Sequence, residues 1–393
     1  MKEMNENCGV FAAYDLESDR TVIPHVIDGL FQLQHRGQLS TGITSFSEAR
    51  KQILRTLKGT GLVSEVFHLS EEENSHVIQK DLKGAVAIGH VRYATSGHGC
   101  IDDAQPFEYK HGKRHQWFSF AFNGNLANAE NLAAKLTSEG YHLRHDVDTE
   151  VIMHFLARSF ETDNYEATFT TLQDQIDGAC SMVTLNALGN LFVYRDKHGF
   201  KPICYTITPD GFCLISSESS ALLPYSSEVI DVAPGELITI LRETRTLVKK
   251  QLCPPEKASC FLEYVYFSRP TSRLDGCSVY DSRLAAGRIL AEVEDQNLDE
   301  NCVVIPVPDS ARIAAEGFAE TLGIPLRNGL IRNTYAGRTF IEEEGRVAKV
   351  RRKFSFAHNI MHNKRIFLLE DSLVRSTTLT TVIQEIHRQC GPR

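Results

Sequence analysis

The sequence predicts two domains, the first mixing short strands with helices and the second an α/β domain with parallel strands. Three observations lead there. A length of 393 residues favours two domains, and 42% hydrophobic content is enough for each to bury its own core. In the N-terminal half, short β-favouring runs such as Gly9-Val10-Phe11-Ala12-Ala13-Tyr14-Asp15 alternate with segments of helical spacing. In the C-terminal half, two stretches read as buried strand, tight loop and helix, which begin parallel α/β units. One starts at Val303 and the other at Ile366.

Composition excludes several classes. A net charge of -8 argues against a broad nucleic-acid surface, so no DNA or RNA partner is expected, while local basic pockets remain open to anionic small molecules. No apolar run approaches the roughly 20 residues of a membrane helix, and Met1 to Asn7 lacks the apolar core of a secretory signal. A cytoplasmic chain without a membrane partner is expected. The ten cysteines show no CxxC pairs, which suits reduced thiols rather than a disulfide framework or a zinc site.

Within the first half, Cys8 is the residue with the most chemical potential. If Met1 to Asn7 is removed, Cys8 carries a thiol and a free α-amino group, whose reference pKa near about 8 lets it take the thiol proton without a histidine. Alone, a small buried hydrophobe is the commoner role for such a cysteine. Pro24 suits a helix start, and Val26, Ile27, Leu30 and Leu33 follow at helical spacing until Gln34-His35-Arg36-Gly37-Gln38 breaks the pattern. The run from Ala85 to Tyr93 reads as a strand that delivers Arg92 near its end, either to grip a carboxylate or as a surface arginine. Phe118 to Phe122 is a further apolar run. Asn123-Gly124-Asn125, which ends it, reads first as a hairpin turn, and otherwise as an oxyanion site made of an Asn amide and a Gly N–H. Asp148 opens a helix as a cap or binds a substrate ammonium.

In the second half, Leu252 to Lys257, with two prolines, marks the boundary region. Tyr280 to Leu290 reads as an amphipathic helix. Val303 to Pro308 is a strand run ending in Asp309-Ser310-Ala311, followed by a helix through Phe318 and Leu322. Ile366 to Leu369 is a buried strand, Glu370 to Thr378 a loop and Leu379 to Ile386 a helix. Two adjacent acids at the carboxyl end of a parallel strand can hold ribose hydroxyls or Mg2+, and the following hydroxyls and N–H groups can cradle phosphate. A capped helix after a core strand is the plainer alternative.

Several motifs together resemble a known family. Cys8-Gly9-Val10-Phe11, Leu33 to Gln38, Gly89-His90-Val91-Arg92-Tyr93, Asn123-Gly124-Asn125-Leu126, Asp148-Thr149-Glu150, Arg195 to Pro202 and Pro234-Gly235-Glu236 resemble the glutaminase domain of class II glutamine amidotransferases. Glu263 to Pro270, Val307-Pro308-Asp309-Ser310, Gly329 to Asn333, Tyr335 to Ile341 and the Glu370 to Thr378 loop resemble the type I phosphoribosyltransferase domain of amidophosphoribosyltransferases. The resemblance implies an α+β N-terminal nucleophile hydrolase sandwich (αββα) over 8–252, after a propeptide at 1–7, followed by an α/β type I phosphoribosyltransferase domain with a mainly parallel sheet over 258–393. It implies that Cys8 is the nucleophile, Asn123 and Gly124 the oxyanion site, and Arg36, Arg92 and Asp148 the glutamine-binding residues. Phosphoribosyl binding falls to Asp309, Ser310, Arg338, Ser372, Arg375, Ser376, Thr377 and Thr378, and the metal to Glu370 and Asp371. The implied reaction converts glutamine, water and phosphoribosyl pyrophosphate to phosphoribosylamine, glutamate and pyrophosphate, the entry to purine synthesis, with ammonia passing internally.

Departures from the family pattern are visible. Leu39 replaces an acid, Lys201 and Arg332 replace arginine and lysine, Thr271 replaces aspartate and Thr334 replaces arginine. Glu370 replaces the first aspartate of the phosphate loop and Ser376 its glycine. The added methylene moves a carboxylate by about a bond length, and a Cβ obstructs close approach to phosphate. A related sugar phosphate as acceptor, or a regulatory homologue without synthase activity, are the alternatives these departures raise. The sequence stops at Arg393 where family members continue, so either the sheet is smaller, another subunit covers its edge, or the chain is shortened. No iron–sulfur cluster is expected: Cys260 matches one ligand position, and the others should lie in the segment with which family members continue. Family members are commonly homo-oligomers, which is the expectation here.

Overall fold

The computed structural model describes residues 8–93, 101–143, 148–160, 164–333, 346–373 and 377–393. The expected propeptide, Arg338, Arg375 and Ser376 lie outside them, as do the side chains of Thr377 and Thr378. The chain forms two compact units. The first runs through Cys260 and takes back Arg273–Gly276; the second holds Phe261–Ser272 and the chain from Cys277.

The first unit contains two antiparallel sheets. Strands β1 (Gly9–Asp15), β2 (Ser40–Phe46), β3 (Leu54–Thr60), β4 (Val86–Arg92), β9 (Cys204–Ile207), β10 (Phe212–Ser216) and β11 (Ile230–Asp231) form one, in the order β11-β9-β10-β1-β4-β2-β3. The other is β13-β12-β8-β7-β6-β5, from β5 (Phe107–Tyr109), β6 (Phe118–Leu126), β7 (Gly178–Asn186), β8 (Leu191–Arg195), β12 (Glu236–Ile240) and β13 (Leu247–Gln251).

Alternation of side chains along each strand builds the layers. On β1, Val10, Ala12 and Tyr14 join a core shared with Ala121, Val183 and Val193 of the second sheet. Phe11 and Ala13 face the other way, against Val26 and Leu30 of helix α1 (Ile23–Gln32), which has proline in its first turn. Phe120 and Phe122 point away from the first sheet and pack with helices α2 (Ala129–Ser138), α3 (Asp148–Ser159) and α4 (Tyr165–Gln175). The result is helix, sheet, sheet, helix. Asn123-Gly124-Asn125 is not a turn: β6 runs on to Leu126 because its ladder with β7 continues to the Leu126 and Gly178 pair. A continuous partner strand outweighs the local turn preference of an Asn-Gly step.

The proline-bearing stretch after β13 stays with the first unit. Glu256 and Ala258 donate backbone bonds to Lys197 and His198, at 2.9 and 2.8 Å. The return of Arg273–Gly276 is anchored by Asp275, whose carboxylate pairs with buried Arg195 at 2.7 Å.

In the second unit, β14 (Cys302–Pro306) pairs in parallel with β15 (Arg365–Leu369), and Leu326 bridges Val304 on the other side. Helices cover both faces. Val304 packs with Ala291 of α5 (Val279–Glu292) and Phe318 of α6 (Arg312–Leu322). Val303 and Ile305 pack with Val382 and Ile386 of α7 (Thr377–Cys390). The parallel ladder is short, and an antiparallel ribbon of Leu330–Arg332 with Phe354–Phe356 stands beside it in the chain. Among the described residues no helix is long and apolar enough to cross a membrane.

Candidate functional site

The ladder between β1 and β4 pairs Gly9 with Val91, so Cys8 arrives beside Arg92; on the other side of β4, Ser40 pairs with Arg92. Val10 and Ile88 face the second sheet, and the two-residue period carries Cys8, His90 and Arg92 onto that same face. Across the gap, Ala121 faces back, and so does Asn123 two residues later. Thus two sheets deliver a thiol, a guanidinium and an amide to one end of the sandwich. Gly37 lets the chain pass tightly here, since a Cβ on it would stand 2.5 Å from the Arg92 carbonyl carbon.

Cys8 is half-buried and its thiol is in no disulfide. Asn123 is fully buried, yet neither its Nδ2 nor its Oδ1 has a hydrogen-bond partner. An orphaned buried amide costs about 1–3 kcal/mol, and in a native structure calls for a ligand group to explain it. Gly124 supplies a second donor by direction. It pairs with Cys180, whose N–H and C=O are both engaged by Asp196 on the far side, so the polar groups of Gly124 point to the open edge of β6. Arg92 is buried, with Nη1 3.6 Å from Asp103. Asp148 opens α3, and its Oδ2 accepts the Leu126 N–H at 3.0 Å, which ties the acid to the end of β6.

Arg36, expected to bind glutamine, has two partners within the fold. Its side chain is fully buried, its Nη1 donates to Glu218 at 2.6 Å and its Nε donates to the Cys8 carbonyl at 3.1 Å. His35 reaches the same Glu218 oxygen at 2.8 Å. The guanidinium thus engages the main chain of Cys8 and a buried acid. Sequence reading missed Glu218, because its partner lies 182 residues away. It also missed His90, Gln105 and Ser40, the last with a buried hydroxyl lacking a partner. The signal for His90 was its parity with Arg92 on one strand.

In the second unit, β14 and β15 end in register at Pro306 and Leu369, so the loops that follow both open at the carboxyl edge. Ser310 donates to Asp371, and Ser372 donates to the other oxygen of that carboxylate at 2.6 Å. Burial, aided by the charge of Asp371, pushes the Glu370 carboxyl up to about 7. Asp309 is paired with Arg332 at 2.7 Å. The structure thus brings Ser310 to Asp371 and Ser372. Among the described residues no three His, Cys, Asp or Glu side chains converge as a metal cluster.

Fold and first site together define a class, the glutamine amidotransferases that work from an N-terminal cysteine, and a family model described as a glutamine amidotransferase domain matches residues 90–224. The chain is 39% identical to an amidophosphoribosyltransferase of Pyrococcus horikoshii, across 99% of this chain and 81% of that protein. Against the Bacillus subtilis enzyme the identity is 34%, across 100% and 78%. A solved glutamine phosphoribosylpyrophosphate amidotransferase from B. subtilis, complexed with ADP and GMP, superposes with a TM-score of 0.82 at 32% identity, covering 96% of this chain and 79% of that one. The chain belongs to the amidophosphoribosyltransferase family. Its architecture is accordingly an N-terminal nucleophile sandwich followed by a phosphoribosyltransferase domain.

Proposed function

We infer that the chain transfers the amide nitrogen of glutamine to phosphoribosyl pyrophosphate, giving 5-phosphoribosylamine, glutamate and pyrophosphate, the first step of purine synthesis. The observation that carries the reading is the orphaned amide of Asn123 on the face that holds Cys8. With 1–7 removed, the Cys8 α-amine takes the thiol proton and the sulfur attacks the glutamine side-chain carbonyl. The oxyanion forms against Asn123 Nδ2 and Gly124 N–H, the α-ammonium returns its proton to the departing ammonia, and water cleaves the thioester to glutamate. Arg92 grips the substrate carboxylate, and the remaining oxygen of Asp148 takes its ammonium.

Ammonia then displaces pyrophosphate at ribose C1. Asp309, Ser310, Ser372, Arg338, Arg375, Ser376, Thr377 and Thr378 take the phosphoribosyl group, and Glu370 and Asp371 its ribose hydroxyls or a metal ion. A pair of carboxylates fits Mg2+, which usually completes its shell with substrate oxygens and water. Glu370 and Asp371 would hold it, and when bound it neutralises charge on the leaving pyrophosphate.

Two assays test this: glutamate release from glutamine, and pyrophosphate release from phosphoribosyl pyrophosphate with ammonia. Cys8→Ala abolishes the first while the second continues. Glutaminase without pyrophosphate release would point to a different sugar acceptor, and neither activity to a regulatory homologue. A mature chain that still begins at Met1 and hydrolyses glutamine would contradict the free-amine mechanism.

A further inference from the structure

Among the described residues, the outer edge of β6 loses its strand neighbour just before the proposed oxyanion donors. β5 pairs with β6 only from Phe118 to Phe120. Phe122 and Gly124 direct their polar backbone groups to that same edge, since both are two-residue neighbours in the ladder with β7. Unpaired buried backbone groups are expensive, so something must satisfy Phe122. Two side chains do. Gln105 Oε1 accepts the Phe122 N–H at 2.7 Å, and His90 Nε2 lies 3.1 Å from the Phe122 carbonyl oxygen. Both side chains are buried, His90 completely.

A carbonyl oxygen can only accept, so the His90 proton sits on Nε2. Burial, chiefly, lowers the imidazole to about 3, so the ring stays neutral at working pH. His90 Nδ1, like the Asn123 amide, has no partner.

We propose that His90 and Gln105 are positioning residues of the glutaminase centre: together they replace the missing strand on β6, pin Phe122 from both of its backbone groups, and so hold Asn123 and Gly124 in line with the oxyanion. The inference rests on the glutaminase reading above. Oxyanion donors tolerate displacements of only about 0.5 Å, and a misplacement of about 1 Å can lower a rate by about 10²-fold. Freed of its side-chain partners, Phe122 can rotate the strand by that much.

The test uses His90→Leu, which removes the donor, and His90→Gln, whose amide reaches to the position of Nε2. Glutamine kcat and KM are measured on the full chain, with the rate of Cys8 alkylation by iodoacetamide followed by mass of the N-terminal peptide. Expected is a fall in kcat of about 10²-fold in His90→Leu, with KM within about threefold and alkylation within about twofold, and recovery to within about tenfold of the parent in His90→Gln. Gln105→Met, which removes the acceptor from the other side, is expected to lower kcat about tenfold, and with His90→Gln it decides the matter should His90→Leu not fold. A His90→Leu kcat within threefold of the parent, a His90→Gln no better than His90→Leu, or alkylation falling in step with kcat would each overturn the proposal. A parent chain that hydrolyses no glutamine would instead overturn the glutaminase reading itself.

Discussion

Replacing Asn123 with alanine separates a catalytic amide from a structural one. The side chain is fully buried and both of its polar atoms lack partners. If those atoms wait for the oxyanion, their loss removes one donor from the transition state, which lowers kcat by about 10²–10³-fold, or about 2.7–4 kcal/mol. KM for glutamine should hold, because the bond is made only as the carbonyl becomes tetrahedral. Stability should not fall as it does in a normal core truncation. Deleting an orphaned amide relieves about 1–3 kcal/mol of desolvation, set against lost packing of similar size. The net is near zero, where a truncated packed side chain would lose about 2–5 kcal/mol. For a unit of this size, that loss would lower the melting temperature by roughly 4–20 °C. Glutamate release with varied glutamine and a thermal melt of the same preparation read both quantities. A melting temperature about 5 °C or more below the parent, or a kcat within threefold of it, would refute the reasoning.

Arg36→Met tests the arginine behind the nucleophile. Removing one partner of the buried pair with Glu218 should destabilise the chain by about 3–5 kcal/mol, and Glu218→Gln on top should restore part of that; a variant of unchanged stability that loses only glutamine affinity would return Arg36 to substrate binding. Acid stability follows from Asp15. Burial raises its carboxyl, but hydrogen bonds from the Arg20 side chain and from the backbone of Arg20 and Glu17 outweigh burial and hold it at about 2, against an ordinary value of 3.8. The unfolded chain therefore binds the proton first, so the contribution of Asp15 is complete above pH 4 and fades as pH falls from about 3.8 towards 2. Asp15→Asn should flatten the acid limb of a melt series in that window, and an unchanged limb would show that the pairing with Arg20 is worth nothing.

Much of this protein was written along the chain. The alternation of Val10, Ala12 and Tyr14 against Phe11 and Ala13 needs only the two-residue period of a strand, and it already separates two faces of a sheet. The strand before Glu370 and the helix that follows were likewise local, as was the cysteine at the head of β1. What local pattern did not decide was every feature that depends on which strand lies beside which. Asn123-Gly124 has the composition of a turn and becomes an extended strand because β7 stays paired with it to Gly178. Arg36 was legible only as a candidate for glutamine at a helix exit, and its bond to Glu218 depends on a residue 182 places along the chain. The bonds from Gln105 and His90 to Phe122 depend on a strand that stops early, an absence that side-chain periodicity cannot register. Propensity and period act between residues a few places apart, whereas partner choice in a sheet is settled by burial summed over the whole ladder, so the donors were legible as residues and became a site only on folding.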